Sequence, residues 1–186
     1  MKRVVVTGLG VVSPVGNDVP SFWQSLTEGK CGIGPITAFD TTEYKVKIAA
    51  EVKDFDPLLY MDKNEARKQD AFSRYAVAAS AQAMQDSGLE SGSNIDPFRL
   101  GVYIGTGTGG MQTFMQEAGK LFEKGPGRVS PFFVPMMIGN MAAGTVSMRT
   151  GFKGDNYCTT TACASSTHAI GEAFRKIKDG YLDVCI

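Results

Sequence analysis

Two hydrophobic patterns take turns along the chain. Val4–Val6 is a continuous β-branched run, as expected for a strand buried on both faces of a parallel sheet. Leu100–Ile104 and Leu182–Ile186 read as further strands, and Asn156–Thr161 is strand-like in its Tyr and Thr content. Between them lie helical stretches. Pro20–Leu26 is a short one, stopped at Glu28-Gly29, and Asn64–Ser87 is long and Ala-rich, with Gly88 placed to cap it. Residues 111–122 and 138–150 follow the same reading. Ile170, Ala173, Phe174 and Ile177 fall at i, i+3, i+4 and i+7, giving one apolar stripe that ends at Asp179-Gly180. Lys45–Val52 reads as a short strand or hairpin arm, Asp56-Pro57 as a turn, and Gly125–Pro135, with its three prolines, as a loop. Strands separated by helices argue for an α/β fold with a mostly parallel sheet and helices on its faces. No internal repeat, low-complexity tract or interdomain linker interrupts the pattern. The chain stops on apolar Cys185-Ile186 without a turn or polar tail, so we expect 1–186 to be one incomplete domain.

Composition narrows the function classes. A chain of 186 residues with 43% hydrophobic and 20% charged residues suits a globular protein with a proper core. Lys plus Arg and Asp plus Glu balance at 19 each, so no bulk charge points to nucleic acid or anionic lipid. No apolar run approaches the roughly 20 residues of a membrane helix. The opening MKRVVVTGLGVVSPVG is broken by glycines and Pro14 and reads as a strand, not a signal peptide. The four cysteines, Cys31, Cys158, Cys163 and Cys185, form no C-x-x-C pair and no metal-ligand spacing with the single histidine, His168. Free thiols in a reducing cytoplasm, and no metal, are the expectation.

Two glycine patterns imitate a dinucleotide fingerprint. Gly105-Thr-Gly107-Thr-Gly-Gly110 satisfies G-x-G-x-x-G between a strand and a helix, and Gly8-Leu-Gly10-Val-Val-Ser13 nearly does. Glycines there let helix N-terminal amides approach a pyrophosphate. The second strand and acidic residue of that unit are missing, so tight turns at strand ends are the preferred reading.

The stretch TTTACASST, residues 159–167, carries the sharper signal. Cys163 sits where a strand meets an amphipathic helix, a place where unpaired amides and the helix dipole favour a thiolate. Ala162 and Ala164 leave room for a substrate, and the Cys163 amide is available to hold an oxyanion. A buried structural cysteine is the competing reading. Cys158 and Cys185, in strands, are assigned to the core, and Cys31 to a loop. His168 is no base for Cys163: five residues along a helix is about 140° around and a turn and a half away. It reads as a packed or solvated helix histidine.

RVVVTGLGVVSPVGN, QDSGL, VSPFFVPMMIGNMAAG and above all TTTACASSTHAIGEAFRKIKDGYLDV resemble the β-ketoacyl-acyl carrier protein synthases, in particular the elongating synthase II type of bacterial fatty-acid synthesis. The resemblance covers the whole chain. It implies a thiolase-like fold, of which this chain is most of the N-terminal βαβαβαββ half, with a mixed, mostly parallel sheet. It implies that Cys163 takes an acyl chain from acyl carrier protein as a thioester. A malonyl group on the carrier is then decarboxylated and attacks that thioester. No cofactor is implied. The two catalytic histidines and the second oxyanion donor fall in a C-terminal half beyond residue 186, so the piece alone is expected to be inactive. Thr108 matches a residue at the mouth of the acyl pocket. Phe133 matches one that a partner subunit contributes, which implies a homodimer. Lys63, Arg67 and Lys68 match the region where such enzymes dock their acidic carrier protein. By charge alone this cluster reads as a solvated helix end, because Asp62 and Glu65 lie within it. The competing function classes are a nucleotide-binding oxidoreductase and a non-catalytic thiolase-like partner subunit.

Overall fold

The computed structural model describes residues 3–186. In chain order these form α1 (Val19–Thr27), β1 (Ile33–Pro35), β2 (Ile48–Ala50), α2 (Lys63–Arg67), α3 (Ala71–Ser87), β3 (Leu100–Gly105) and α4 (Met111–Lys124). There follow α5 (Phe133–Met137), α6 (Met141–Thr150), β4 (Asn156–Thr159), α7 (Ser165–Lys178) and β5 (Val184–Cys185). The sheet has the order β4–β3–β5 with every pairing parallel, Val102 opposite Asn156 and Leu100 opposite Val184. Among the described residues, antiparallel pairing occurs in the separate β1–β2 ribbon, in which Ile33 faces Ala50, and in an isolated bridge between Ser13 and Gly16. The ribbon includes the hairpin arm expected within 45–52; its partner strand went unrecognised.

Alternation along β3 divides the core in two. Leu100 and Val102, 0% and 1% exposed, face Val77 of α3 and Ala143 and Val146 of α6. Tyr103 points the other way, to Ala169 of α7 and Leu182. Helices therefore cover both faces, as the sequence pattern requires. On the α7 face, Asp155 accepts the Tyr103 hydroxyl at 3.0 Å and pairs with Lys176 at 2.9 Å, tying β3, the start of β4 and the end of α7 together.

Three expectations need correction. Val4–Val6 forms no strand. Both edges of β3 are taken by β4 and β5, and the extended segment 3–12 lies against α3 instead. There the Leu9 and Val11 amides donate to Asp86 and Gln82 side chains, both at 2.9 Å. Gly8 and Gly10 permit the approach, since a Cβ on either would lie 2.2 or 1.8 Å from a carbonyl oxygen of α3. Second, the helix expected over 64–87 is two helices. Asp62 and Glu65 close a capping box at the start of α2, and Lys68 ends it. Asp70 then opens α3 with extended backbone, and Gly88, at φ 66°, closes it as expected. The Asp70 carboxylate does not cap its own helix; it accepts the Thr113 amide at 2.9 Å and hydroxyl at 2.7 Å in the first turn of α4. Third, residues 125–135 are not all loop, because a 3-10 turn spans Pro126–Arg128 and α5 begins at Phe133. The small-residue helix correspondingly begins at Met141, not 138, and β4 and β5 are each shorter than expected. Among the described residues no helix is long and apolar enough to cross a membrane.

Two outcomes follow from this packing. Asp70 is 6% exposed and holds two donors of another helix. Asp70→Ala should therefore cost about 1–3 kcal/mol by urea unfolding, with Asp70→Asn milder because an acceptor remains; an unchanged midpoint would remove Asp70 from the fold's supports. The second outcome concerns alkaline pH. Burial pushes the Cys185 thiol from 9.0 up to about 12, and burial beside Asp155 also raises the Tyr103 phenol. Both groups keep their protons in the folded state after the unfolded chain has lost them. Stability should thus be intact below pH 9 and decline as pH rises from 9 towards 12. Melting temperatures across that window, with Cys185→Ala flattening part of the fall, check the sign.

Candidate active site

At the C-terminal end of the sheet, two turns lie side by side because β3 and β4 are parallel neighbours in register. Gly105 is opposite Thr159, and the Thr106 amide donates to the Thr159 carbonyl at 3.1 Å. Such crevices beyond the carboxyl ends of parallel strands are where open α/β sheets bind ligands. The β3–α4 turn carries Thr108; the β4–α7 turn carries Cys163.

The second turn is tightly built. Ala162 has φ 51°, the left-handed conformation that costs an L-residue roughly 1–2 kcal/mol. A single 3-10 turn, Ala162–Ala164, then leads into α7. Cys163 stands exposed at its centre, with Ala162 and Ala164 exposed on either side, which removes the buried-cysteine reading. Among the described residues no acceptor takes the Cys163 amide, so an unpaired donor lies beside the thiol. Cys31 is also exposed, while Cys158 and Cys185 are half-buried and their thiols are pushed up by burial, as core positions require. His168 is exposed on α7, and its Nδ1 is hydrogen-bonded to Thr161 Oγ1 at 2.8 Å. That nitrogen supports the turn from outside.

The residues that organise this turn were missed by sequence reasoning. Ser165 is 3% exposed, and its hydroxyl meets Thr161, Ala162 and Thr106. A serine opening a helix after a threonine run was the available signal, since such hydroxyls commonly bond nearby backbone. Asp70 was legible as a helix start, an Asp directly before an Ala-rich run. Its bond to Thr113 was not.

Thr108 is exposed in the turn next to the one carrying Cys163. Phe133, half-buried, opens α5 and tilts against Phe114 of α4, ring centres 6.3 Å apart. Lys63, Arg67 and Lys68 are exposed, and Lys68 lies over the Phe132 ring, 4.9 Å from its centre. The Asp70–Thr113 bond brings the junction between α2 and α3 to the end of the sheet where α4 begins, the end that carries Cys163. Glu65, which tempers the cluster by charge, is itself paired with Arg149 at 2.7 Å.

The same geometry accords with the preferred reading of the glycine patterns as tight turns. In the Gly105–Gly110 turn, a Cβ on Gly109 or Gly110 would lie 2.6 or 2.2 Å from carbonyl oxygens of Met137 and Met136. These glycines admit the chain's own backbone. The Asp70 carboxylate already occupies the N-terminal turn of α4 where a phosphate would sit. Gly8 and Gly10 are packed on α3.

Comparison with known proteins accords with this geometry. Residues 1–186 match the family model described as beta-ketoacyl synthase, N-terminal domain. A 3-oxoacyl-[acyl-carrier-protein] synthase 2 from Synechocystis sp. is 47% identical over 185 residues, covering 100% of this chain and 44% of that protein. Among solved structures, a type II polyketide ketosynthase in complex with its acyl carrier protein and bound to the hexaketide superimposes with a TM-score of 0.82 at 28% identity. It covers 98% of this chain and 48% of that one. A beta-ketoacyl synthase from Burkholderia phymatum gives 0.82 at 28% identity over 98% of this chain and 45% of that one. The chain thus spans less than half the length of these relatives. With its parallel sheet clothed on both faces and a cysteine on the turn into α7, the chain belongs to the beta-ketoacyl synthase family and has its thiolase-like α/β fold.

Proposed function

We propose that this chain is the N-terminal half of a β-ketoacyl-acyl carrier protein synthase of fatty-acid elongation, with Cys163 as its nucleophile. One observation carries the reading: an exposed thiol beside its own unpaired amide, on a strained turn at the C-terminal end of a parallel sheet. In the first half-reaction the Cys163 sulfur attacks the carbonyl of an acyl thioester on the carrier. The carbonyl oxygen gains negative charge and the Cys163 amide donates to it. The carrier's C–S bond then breaks, and its sulfur leaves with the proton that the Cys163 thiol gave up. In the second, malonyl on the carrier loses carbon dioxide, and the resulting carbanion attacks the acyl group and displaces the Cys163 thiolate. The product is a β-ketoacyl chain two carbons longer. His168, the single histidine of these 186 residues, is bound to the turn, and the family resemblance implies that the groups assisting decarboxylation lie in the part of such synthases that this chain does not span.

The acyl carrier protein is the proposed partner, approaching across Lys63, Arg67 and Lys68, in a cytoplasmic enzyme. A ketosynthase of the same fold has been captured with its carrier, which supports the pairing. We assign Thr108 to the mouth of the acyl pocket and Phe133 to a pocket shared across a homodimer. Exposed Met115 and Val134, at 64% and 54%, provide apolar surface beside Phe133 for such a contact. Val6 at 79% and Ile170 at 71% exposed are further apolar positions that suit packing against additional chain.

In the full protein that carries this chain, incubation with an acyl-loaded carrier should add one acyl mass to Cys163, located by peptide mapping. Cys163→Ala should abolish both the adduct and condensation. Retained condensation in that variant would favour the non-catalytic partner reading. The docking assignment has its own check. Arg67→Glu with Lys68→Glu should slow transfer from the carrier by about 10-fold or more at low salt, with the gap narrowing as salt rises. Transfer from a small acyl thioester without a carrier should stay within about 2-fold, as expected when charge steers encounter rather than chemistry. Equal losses with both substrates would place the defect in the site itself.

A further inference from the structure

The buried hydroxyl of Ser165 holds one end of a peptide whose other end is the Cys163 amide. Ser165 Oγ accepts the Thr161 amide at 2.8 Å. Its proton faces the Ala162 carbonyl at 2.7 Å and the Thr106 carbonyl at 3.1 Å. The Ser165 backbone amide also donates to the Ala162 carbonyl. Thr159 Oγ1 in turn donates to the Ser165 carbonyl at 2.7 Å. The residue is thus fastened to both turns that frame the site, and at 3% exposure it is shielded from water.

Ala162 C=O and Cys163 N–H belong to one planar peptide unit, and the chain has no cis peptide bond among the described residues. In a trans unit the carbonyl and the amide point in opposite directions. Whatever pulls the Ala162 oxygen inward therefore pushes the Cys163 amide outward. Ala162 has no side chain able to do this, and its left-handed backbone is itself unfavourable. Ser165 brackets that strained residue, through Thr161 before it and through its own carbonyl.

Building on the synthase reading above, we propose that Ser165 is a positioning residue. It fixes the orientation of the Ala162–Cys163 peptide and so aims the amide that stabilises the acyl-transfer oxyanion. It touches no substrate. Its effect should therefore fall on reactions that build an oxyanion and spare those that do not.

The test compares Ser165→Ala and Ser165→Thr with the unaltered full protein in two reactions of the same thiol. Acyl transfer from a small acyl thioester builds negative charge on a carbonyl oxygen. Alkylation by iodoacetamide is a displacement at carbon and builds none there. Ser165→Ala should lower kcat for acyl transfer about 100-fold, the scale of losing or misplacing one oxyanion donor, with KM within about 3-fold. Alkylation of Cys163 should stay within about 3-fold across the pH range, and Ser165→Thr, which keeps the hydroxyl, should recover most of the lost kcat. The Thr161 amide should exchange with deuterium faster in Ser165→Ala and recover protection in Ser165→Thr. Unchanged acyl transfer in Ser165→Ala would overturn the proposal. So would a parallel fall of acyl transfer and alkylation accompanied by early melting, which marks simple loss of the turn. An unaltered protein that never acylates Cys163 would instead sink the synthase reading, and Thr161 exchange would then decide the role of Ser165 alone.

Discussion

Everything at the candidate site depends on how closely α7 approaches β3. Gly105, the last residue of that strand, lies directly beneath the start of the helix, where a Cβ would fall 2.4 Å from the Ser165 carbonyl carbon and the Ser166 nitrogen. Only a residue without a side chain allows this contact, and rigid backbone on the other side leaves nothing to give way. The approach brings Ser165 within reach of the Thr106 carbonyl and seats the Cys163 turn over the edge of the sheet. A pair of glycines does the same for the neighbouring turn, where Gly109 and Gly110 let the end of α5 press against the start of α4. The glycines that looked like a cradle for a phosphate are spacers between backbones.

The parts of this arrangement that were legible in the sequence are those carried by local pattern. The apolar run Leu100–Ile104, the stripe from Ile170 to Ile177 and the cap at Gly88 each state their conformation within a few residues. So does the small-residue setting of Cys163. What escaped depended on partners far away in the chain. The β-branched Val4–Val6 has strand propensity, yet propensity does not provide a hydrogen-bonded neighbour, and side chains of α3 took two amides of that segment in place of a ladder. The break at residues 68–70 was written locally, in the Asp62–Glu65 box and in Asp70, but a continuous run of helix formers masked it. The role of Asp70 could not be read at all, since its two donors sit on another helix. In the same way Ser165 looked like one more small residue until the chain brought Thr106 to it.

The site also separates its tasks by element. The exposed Cys163 thiol sits on the β4–α7 turn, a candidate pocket edge on the β3–α4 turn and on α5, and a cationic surface at the α2–α3 junction. Asp70 and the Lys68–Phe132 contact link the third of these to the second. The Lys68–Phe132 contact lies on the surface, whereas the Asp70–Thr113 link is buried at both ends. A change in surface charge can therefore alter association while the carboxylate keeps the helices in place.

The parallel register of β3 and β4 has a consequence in time as well as in space. Parallel neighbours cannot be joined by a hairpin, and here α4, α5 and α6 all intervene between them. Closing so long a loop is entropically slow, and folding rates fall as contacts become more distant in sequence. Most bonds that brace the strained turn at Ala162 are local, but the one from Ser165 to the Thr106 carbonyl forms only when that closure is complete. While a chain is still emerging, or whenever this pairing opens, the turn that carries Cys163 therefore lacks its tie to the neighbouring turn. The full bracing of that turn is acquired only when the sheet closes, so its geometry is itself a late reporter of correct folding.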